Sequence, residues 1–421
     1  MSRPSAASYT VPTWATNTNY PAGGAPWSGQ PIKVAFASPA GGFVPGSGAA
    51  AEYFNKLFFD TFGTDTSAKT YFGTLADGLG QADVINWTQE PTFNNVFGPT
   101  YDTVNHRWIA SASTGGGDLP WISYDGGQVW VSTSWSSTPT NKPVVGSNPA
   151  GLVVGVDGAS NKAYWLPASS PSTFSNTTAG ISGHTVFYRD VVWLASGSVF
   201  LAAGRESGIG SHLIKSTGTA AWTDLTASIP GTVNSIHDWS ADASPTRAVF
   251  IPKNAAMGVN YMTTDDGTTF TLRTTLPITT NFVPKAVHYN ATQGLWMFGA
   301  LFVGGSANQL NFWTSPDGLT WTVKAQPAYP NWEIYDISSL GAVWVALVAR
   351  EVGLANERMT VLYSTDDGAT WRPSDLSLPV ATGGVDPNRN VLSAGGARLM
   401  ANHAVKLAWS NGACGLRLPI T

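Results

Sequence analysis

The chain has 421 residues, a formal net charge of −4 and only 11% charged residues, against 43% hydrophobic residues and 18 tryptophans. That aromatic content excludes a disordered chain, and the absence of any Lys/Arg block argues against nucleic-acid or anionic-membrane binding. The one cysteine, Cys414, has no partner for an intramolecular disulfide, so stability must come from packing.

Met1–Thr10 carries no apolar run of signal-peptide type and no stretch reaches membrane-spanning length. The expectation is a protein made and kept in the cytoplasm until something releases it. Residues 1–79 form the first predicted unit. Pro12–Pro45, rich in Pro, Gly, Asn and Trp, reads as an extended arm. Ala49–Phe62 reads as a short helix that starts after Gly46-Ser47-Gly48 and stops at Gly63. Tyr53, Phe54, Leu57, Phe58 and Phe62 lie on one stripe of that helix. Such a stripe needs cover, either from the chain's own second unit or from another subunit. The run Asn19–Val34, with Trp27-Ser28-Gly29-Gln30-Pro31-Ile32-Lys33-Val34, precedes Gly42-Phe43-Val44-Pro45-Gly46 and Ala51-Glu52-Tyr53-Phe54-Asn55. Over these forty or so residues the chain resembles the N-terminal regions of tailed-bacteriophage structural proteins. The resemblance implies a virion component, with Trp27, Phe43 and the Tyr53–Phe62 stripe as the assembly interface.

Residues 80–421 form the second predicted unit. The strand-like segment Gly80–Trp87 is expected to pair with the C-terminal strands, because an open ring of sheets leaves exposed edges. Four stretches then repeat a hydroxyl residue, an Asp, a Gly and an aromatic. These are Ser123, Asp125, Gly127 and Trp130; Thr263, Asp265, Gly267 and Phe270; Ser315, Asp317, Gly318 and Trp321; and Ser364, Asp366, Gly368 and Trp371. Read this way, the third copy is one residue shorter than the others. Weaker copies at Ser170–Phe174 and Ser216–Trp222 keep the hydroxyl and the aromatic. Closing aromatics therefore fall at 130, 174, 222, 270, 321 and 371, and Leu407–Gly412 supplies a partial further copy. A period near 50 residues, with β-branched and aromatic strands such as Val191–Ala195 and Val343–Ala346, predicts an all-β, seven-bladed β-propeller, with six or eight blades if one copy is misread.

The copies resemble the Asp-box of sialidase-type propellers. The chemistry of the box is local: Asp accepts N–H groups of a turn, Gly supplies positive φ, and the aromatic packs between blades. Aspartates at equivalent places around a ring read as architecture. The sialidase resemblance would further imply an arginine triad, a Tyr–Glu pair and an early Phe/Tyr-Arg-Ile-Pro segment, which is absent. No metal-ligand spacing joins His106, His184, His212, His237, His288 and His403, and no hydrolase or nucleotide motif is present. The leading expectation is a non-enzymatic virion structural protein of tail, baseplate or decoration type. It would need no cofactor, and its partners would be other virion proteins and copies of itself. One alternative is a glycan-binding or glycan-cleaving propeller contacting host surface glycan through Trp135, Trp239 and Trp332. Another is an intracellular assembly factor.

Overall fold

The structure, a computed structural model, describes residues 87–410 apart from short internal stretches, chiefly 231–238, 254–259, 303–308, 351–357 and 380–390. The predicted arm and helix, with Trp27, Phe43, Tyr53, Phe54, Leu57, Phe58 and Phe62, lie outside the described residues.

The described chain is an all-β propeller. Its one helical element is a single 3-10 turn, Thr226–Ser228. A lone strand, β1 (Trp87–Glu90), comes first. The first sheet follows as β2 (Asn94–Asp102), β3 (Arg107–Ser113), β4 (Asp118–Ser123) and β5 (Val131–Ser132). The next sheet is β6 (Val144–Ser147), β7 (Val153–Asp157), β8 (Lys162–Leu166) and β9 (Ser175–Thr178). After it come β10 (Val186–Leu194), β11 (Val199–Glu206), β12 (Gly210–Ser216) and β13 (Thr223–Asp224). A fourth sheet holds β14 (Trp239–Ala243), β15 (Ala248–Pro252), β16 (Tyr261–Thr264) and β17 (Thr271–Arg273). A fifth holds β18 (Phe282–Asn290), β19 (Leu295–Phe302), β20 (Gln309–Ser315) and β21 (Thr322–Ala325). The sixth holds β22 (Glu333–Leu340), β23 (Val343–Arg350), β24 (Arg358–Ser364) and β25 (Arg372–Pro373), with β26 (Leu378–Pro379) also on β24. Last are β27 (Val391–Gly395), β28 (Arg398–His403) and β29 (Lys406–Ser410).

Continuous antiparallel blades therefore number six, where the aromatic spacing predicted seven. The remaining sheet is composite, in the order β1-β29-β28-β27. Trp409, expected to close a further repeat, sits instead on β29 opposite Thr88 of β1. Of the strand expected over Gly80–Trp87, residues 80–86 lie outside the described residues, and Trp87 is in β1.

The sequence of each blade follows its depth. Second strands lie between two neighbouring sheets and are apolar almost throughout: all of Val343–Ala349 is buried. Fourth strands β5, β13 and β25 are exposed at the rim. The core is thus a series of clusters between adjacent sheets. Leu399 of β28 joins the cluster of Val345, Leu347 and Tyr363, while Met400 packs with Trp108, Ala110 and Ala112. The composite sheet is packed from both sides. First strands β2, β6, β10, β14, β18, β22 and β27 contact one another in that order, and β27 contacts β2. They surround the channel.

Turns between first and second strands lie at the same end as turns between third and fourth strands, and they latch consecutive sheets. Arg107 donates to the carbonyl of Ser170 at 2.9 Å, the Ser196 hydroxyl to that of Asp265 at 2.6 Å, and Arg247 to that of Asp317 at 2.6 Å. Gln293 reaches the Asp367 carboxylate in the same way.

Candidate functional site

The repeated turns hold themselves together. In the third copy the Ser315 hydroxyl bonds Asp317 Oδ1 at 2.8 Å and accepts the Gly318 N–H at 2.8 Å. Asp317 Oδ1 accepts the N–H groups of Leu319 and Thr320, each at 2.8 Å. Burial opposes ionisation of Asp317, but the Thr320 and Leu319 N–H groups outweigh it and lower its pKa. Ser364, Asp366, Gly368 and Thr370 repeat the arrangement. Burial is there outweighed by the Thr370 hydroxyl and N–H, and Trp371 donates to the Gly368 carbonyl at 3.1 Å. In the first copy Ser123 accepts the Gly127 N–H and Trp130 donates to the Gly127 carbonyl, while Asp125 lies outside the described residues. The weaker copies keep the hydroxyl contact: Ser170 accepts from Thr173 and Ser216 from Gly218.

The second copy is shifted by one residue from its sequence reading. Thr264, not Thr263, accepts the Gly267 N–H at 2.9 Å, and Asp266, not Asp265, accepts Thr268 and Thr269 N–H at 2.7 Å each. Those two N–H groups, Thr269 first, pull the Asp266 carboxyl down to about 2. Strand register gives the reason. Thr264 stands opposite Ala248 at the place where Ser315 faces Trp296, Ser364 faces Trp344 and Ser216 faces Phe200. The second copy therefore has the spacing of the third, and Asp265 is free to bind Arg247 instead. The closing aromatics Phe270, Trp321 and Trp371 pack against Phe250, Phe298 and Phe312 respectively.

Of the tryptophans expected to stack on sugars, Trp239 is 0% exposed and Trp135 7% exposed, so neither has a ring face for a ligand. Trp332 is half-buried and stacks on Tyr329 at 4.5 Å and 17°.

The polar groups that do converge face the channel. A cavity of about 640 Å³ is walled by the first strands and by turn residues Thr103, Thr292 and Gly341, which places it toward the latched end. In its wall, His288 of β18 bridges two neighbouring sheets. Its Nδ1 lies 2.7 Å from Asp242 Oδ2 on β14, and its Nε2 lies 2.9 Å from Ser339 Oγ on β22. The Asp242 carboxylate is fixed in turn, with Oδ2 accepting the Tyr289 N–H at 2.8 Å and Oδ1 the Ala243 N–H at 2.7 Å. The ring packs edge-on to Trp344, centroids 6.0 Å apart at 86°. His288 and Asp242 stay 22% and 26% exposed, and Ser339 is half-buried. With Nδ1–H given to Asp242, Nε2 is left to accept the Ser339 hydroxyl. The imidazole is then poised to take a proton from Ser339 or from a molecule beside it.

Asp190 lines the same wall and accepts the Ala241 N–H at 2.8 Å. Burial pushes its carboxyl up, against the pull of Lys253 and of that N–H. Among the described residues no group of three or more His, Cys, Asp or Glu is placed to hold a metal, and no helix is long and apolar enough to cross a membrane.

The sequence reading weighed His288 only as one of six histidines without metal-ligand spacing, and did not single out Asp242 or Ser339. A signal was available: Asp242 and His288 pair with the same position of their neighbouring strands, one residue before Ala243 and Tyr289, and Ser339 lies 51 residues beyond His288. Each stands about one repeat after the last.

No protein-family model and no curated protein matches the chain. Solved structures do. One is a catalytically inactive histidine-to-alanine variant of virginiamycin B lyase from Staphylococcus aureus with quinupristin, at TM-score 0.54 and 10% identity, over 77% of this chain and 99% of that one. Oligogalacturonate lyase from Vibrio parahaemolyticus matches at TM-score 0.54 and 9% identity, over 77% and 96% of the two chains. YCF48 bound to a D1 peptide matches at TM-score 0.50 and 14% identity, over 79% and 98%. At these identities the likeness shows the propeller fold. None of the three is a sialidase or a phage structural protein. The expectation of a non-enzyme is corrected by them: two are enzymes on this frame, so the lack of a familiar hydrolase motif is no ground for excluding catalysis.

Proposed function

We propose that the protein is an enzyme whose site is the propeller channel, with His288 as general acid and base on a small polar substrate. One observation carries this reading: an unbroken Asp242–His288–Ser339 hydrogen-bonded chain, contributed by three successive sheets and open to a cavity of about 640 Å³. A positioned imidazole contributes roughly 10²–10⁴-fold to a proton-transfer step. The virginiamycin B lyase is catalytically inactive in its histidine-to-alanine form, and the oligogalacturonate lyase is likewise an enzyme. Both support looking for chemistry on this fold.

The test compares wild type with His288→Gln on two substrate classes. Oligogalacturonate is followed by ultraviolet absorbance of an unsaturated product, and carboxylic esters by acid release. Turnover in one class, reduced by about 10²-fold or more in the variant with an unchanged circular dichroism spectrum, is the expected result. Equal rates for both proteins on every substrate overturn the reading.

Two finer assignments belong to the same proposal. The repeated turns are read as Asp-boxes, supported by the Ser/Thr–Asp–backbone bonds at Thr264, Ser315 and Ser364. The composite sheet is read as a seventh blade, supported by its contacts on both sides. The place of action, a virion joined through residues 1–79, follows from the resemblance in residues 19–55. Immunogold labelling of purified particles with antibody to residues 81–421 tests it, and particles without label overturn that location while leaving the channel reading intact.

A further inference from the structure

We propose that Ser339 is a nucleophile, and that the channel site hydrolyses carboxylic esters through an acyl-serine intermediate. This rests on the channel reading above and goes beyond it, because acid–base work by His288 alone requires nothing of Ser339.

Other polar side chains on the first strands join neighbouring sheets. Ser240 Oγ accepts the Val287 N–H at 3.1 Å, Asp190 accepts the Ala241 N–H, and Ser147 donates to the Tyr101 carbonyl at 2.8 Å. Each ties a side chain to the backbone of a neighbouring first strand, which is the structural device by which unpaired strands around a channel are joined. Side-chain pairs span the same seams at Thr100–Ser147 and Lys285–Glu333, and Ser339 differs from all of these in meeting an imidazole. Its hydroxyl meets His288 Nε2 at 2.9 Å, and the other ring nitrogen is already committed to Asp242. The three side chains are thereby ordered as carboxylate, imidazole and hydroxyl. That order of groups is the one that activates a serine: the base accepts the hydroxyl proton, and the carboxylate fixes ring tautomer and orientation. The relation is recognised by geometry, whatever the fold or chain order.

Ser339 Oγ forms a bond to the ester carbonyl carbon while its proton passes to His288 Nε2. The carbon–oxygen bond to the alcohol breaks, and His288 returns the proton to the departing alkoxide. Water then attacks the acyl carbon and His288 takes its proton; the acyl carbon–Oγ bond breaks, His288 gives the proton to Ser339 Oγ, and the carboxylic acid leaves. Asp242 touches no reacting atom and is a positioning residue.

The test is covalent, so it needs no knowledge of the natural ester. An alkyl fluorophosphonate is added to the full chain, and adducts are located by peptide mass spectrometry; attack on phosphorus expels fluoride. The expected result is one adduct at Ser339, absent in Ser339→Ala and formed at least about 10²-fold more slowly in His288→Gln. Asp242→Asn, which keeps a side-chain acceptor for the backbone, should slow it as well. Ester turnover is measured alongside. No adduct at Ser339, or labelling undiminished in His288→Gln, overturns the nucleophile. Should Ser339→Ala keep the turnover that His288→Gln loses, the nucleophile falls and the acid–base reading stands. Turnover unchanged in both variants overturns the two together.

Discussion

Arg247 holds both carboxylate oxygens of Asp265, with Nε and Nη2 each at 2.7 Å, and passes its third nitrogen to the Asp317 carbonyl of the next sheet at 2.6 Å. One planar side chain thereby clamps two turns of different blades. Lysine can offer a charge there but not a fork. Arg247→Lys should cost nearly as much as Arg247→Ala, about 1 kcal/mol for a pair that is partly exposed. Urea unfolding of both variants checks this; a lysine variant as stable as wild type would mean that charge alone suffices.

Asp266 and Asp265 are neighbours with different work. The pKa of Asp266 falls from its ordinary value to about 2 because Thr269 and Thr268 donate to it. A carboxyl lowered on folding stabilises above its unfolded pKa of about 3.9, and that contribution is lost as pH falls toward the folded value. Asp266→Asn should flatten the loss of stability between about pH 4 and pH 2. Asp265→Asn should instead lose the Arg247 clamp. Since Asp266 is largely open to solvent, the effect at neutral pH should be no more than about 1 kcal/mol. Denaturant midpoints across that pH range give the comparison.

This pair also shows where sequence reading reaches its limit. The repeated turns were visible because glycine, hydroxyl and aromatic residues are each required locally, by positive φ at Gly267, Gly318 and Gly368 and by packing between sheets. Which of two adjacent aspartates faces the turn is decided by cross-strand register, with Thr264 opposite Ala248, and no local pattern carries that. The channel site was hidden for a stronger reason. Asp242, His288 and Ser339 are each unremarkable in their own strand, and only the ring brings them to 2.7 and 2.9 Å. Aromatic spacing likewise counted copies of a turn, whereas the last sheet is assembled from both ends of the propeller sequence.

Gly197, in the turn between β10 and β11, tests the latch between sheets from its steric side. A Cβ built there would stand 2.6 Å from the Asp266 carbonyl oxygen, which is backbone and cannot swing aside. Gly197→Ala should destabilise by roughly 1–3 kcal/mol. A midpoint equal to wild type in thermal or denaturant unfolding would show that the two turns have room to part.

Asp190 should behave in the opposite sense to Asp266. Burial raises its pKa from the ordinary value, against Lys253 and the Ala241 N–H. A carboxyl raised on folding is destabilising once pH exceeds the unfolded pKa, because the folded state must then give up a proton it holds more tightly. Asp190→Asn keeps an acceptor for Ala241 and removes the ionisation. It should be more stable than wild type at neutral pH, with the advantage vanishing below about pH 4. Stability curves crossing the other way would assign Asp190 a charge partner stronger than Lys253.

The pairing of β1 with β29 has a consequence in time. Trp87–Glu90 leaves the ribosome more than 300 residues ahead of its partner Leu407–Ser410. During synthesis six meanders have all their strands while the arc that contains them still has two bare ends. A nascent chain stalled before Lys406 would carry an unpaired β1, an open strand edge of the kind that other chains can pair with. The codons for Lys406–Ser410 thus decide whether the ring of sheets is closed or left with an open edge.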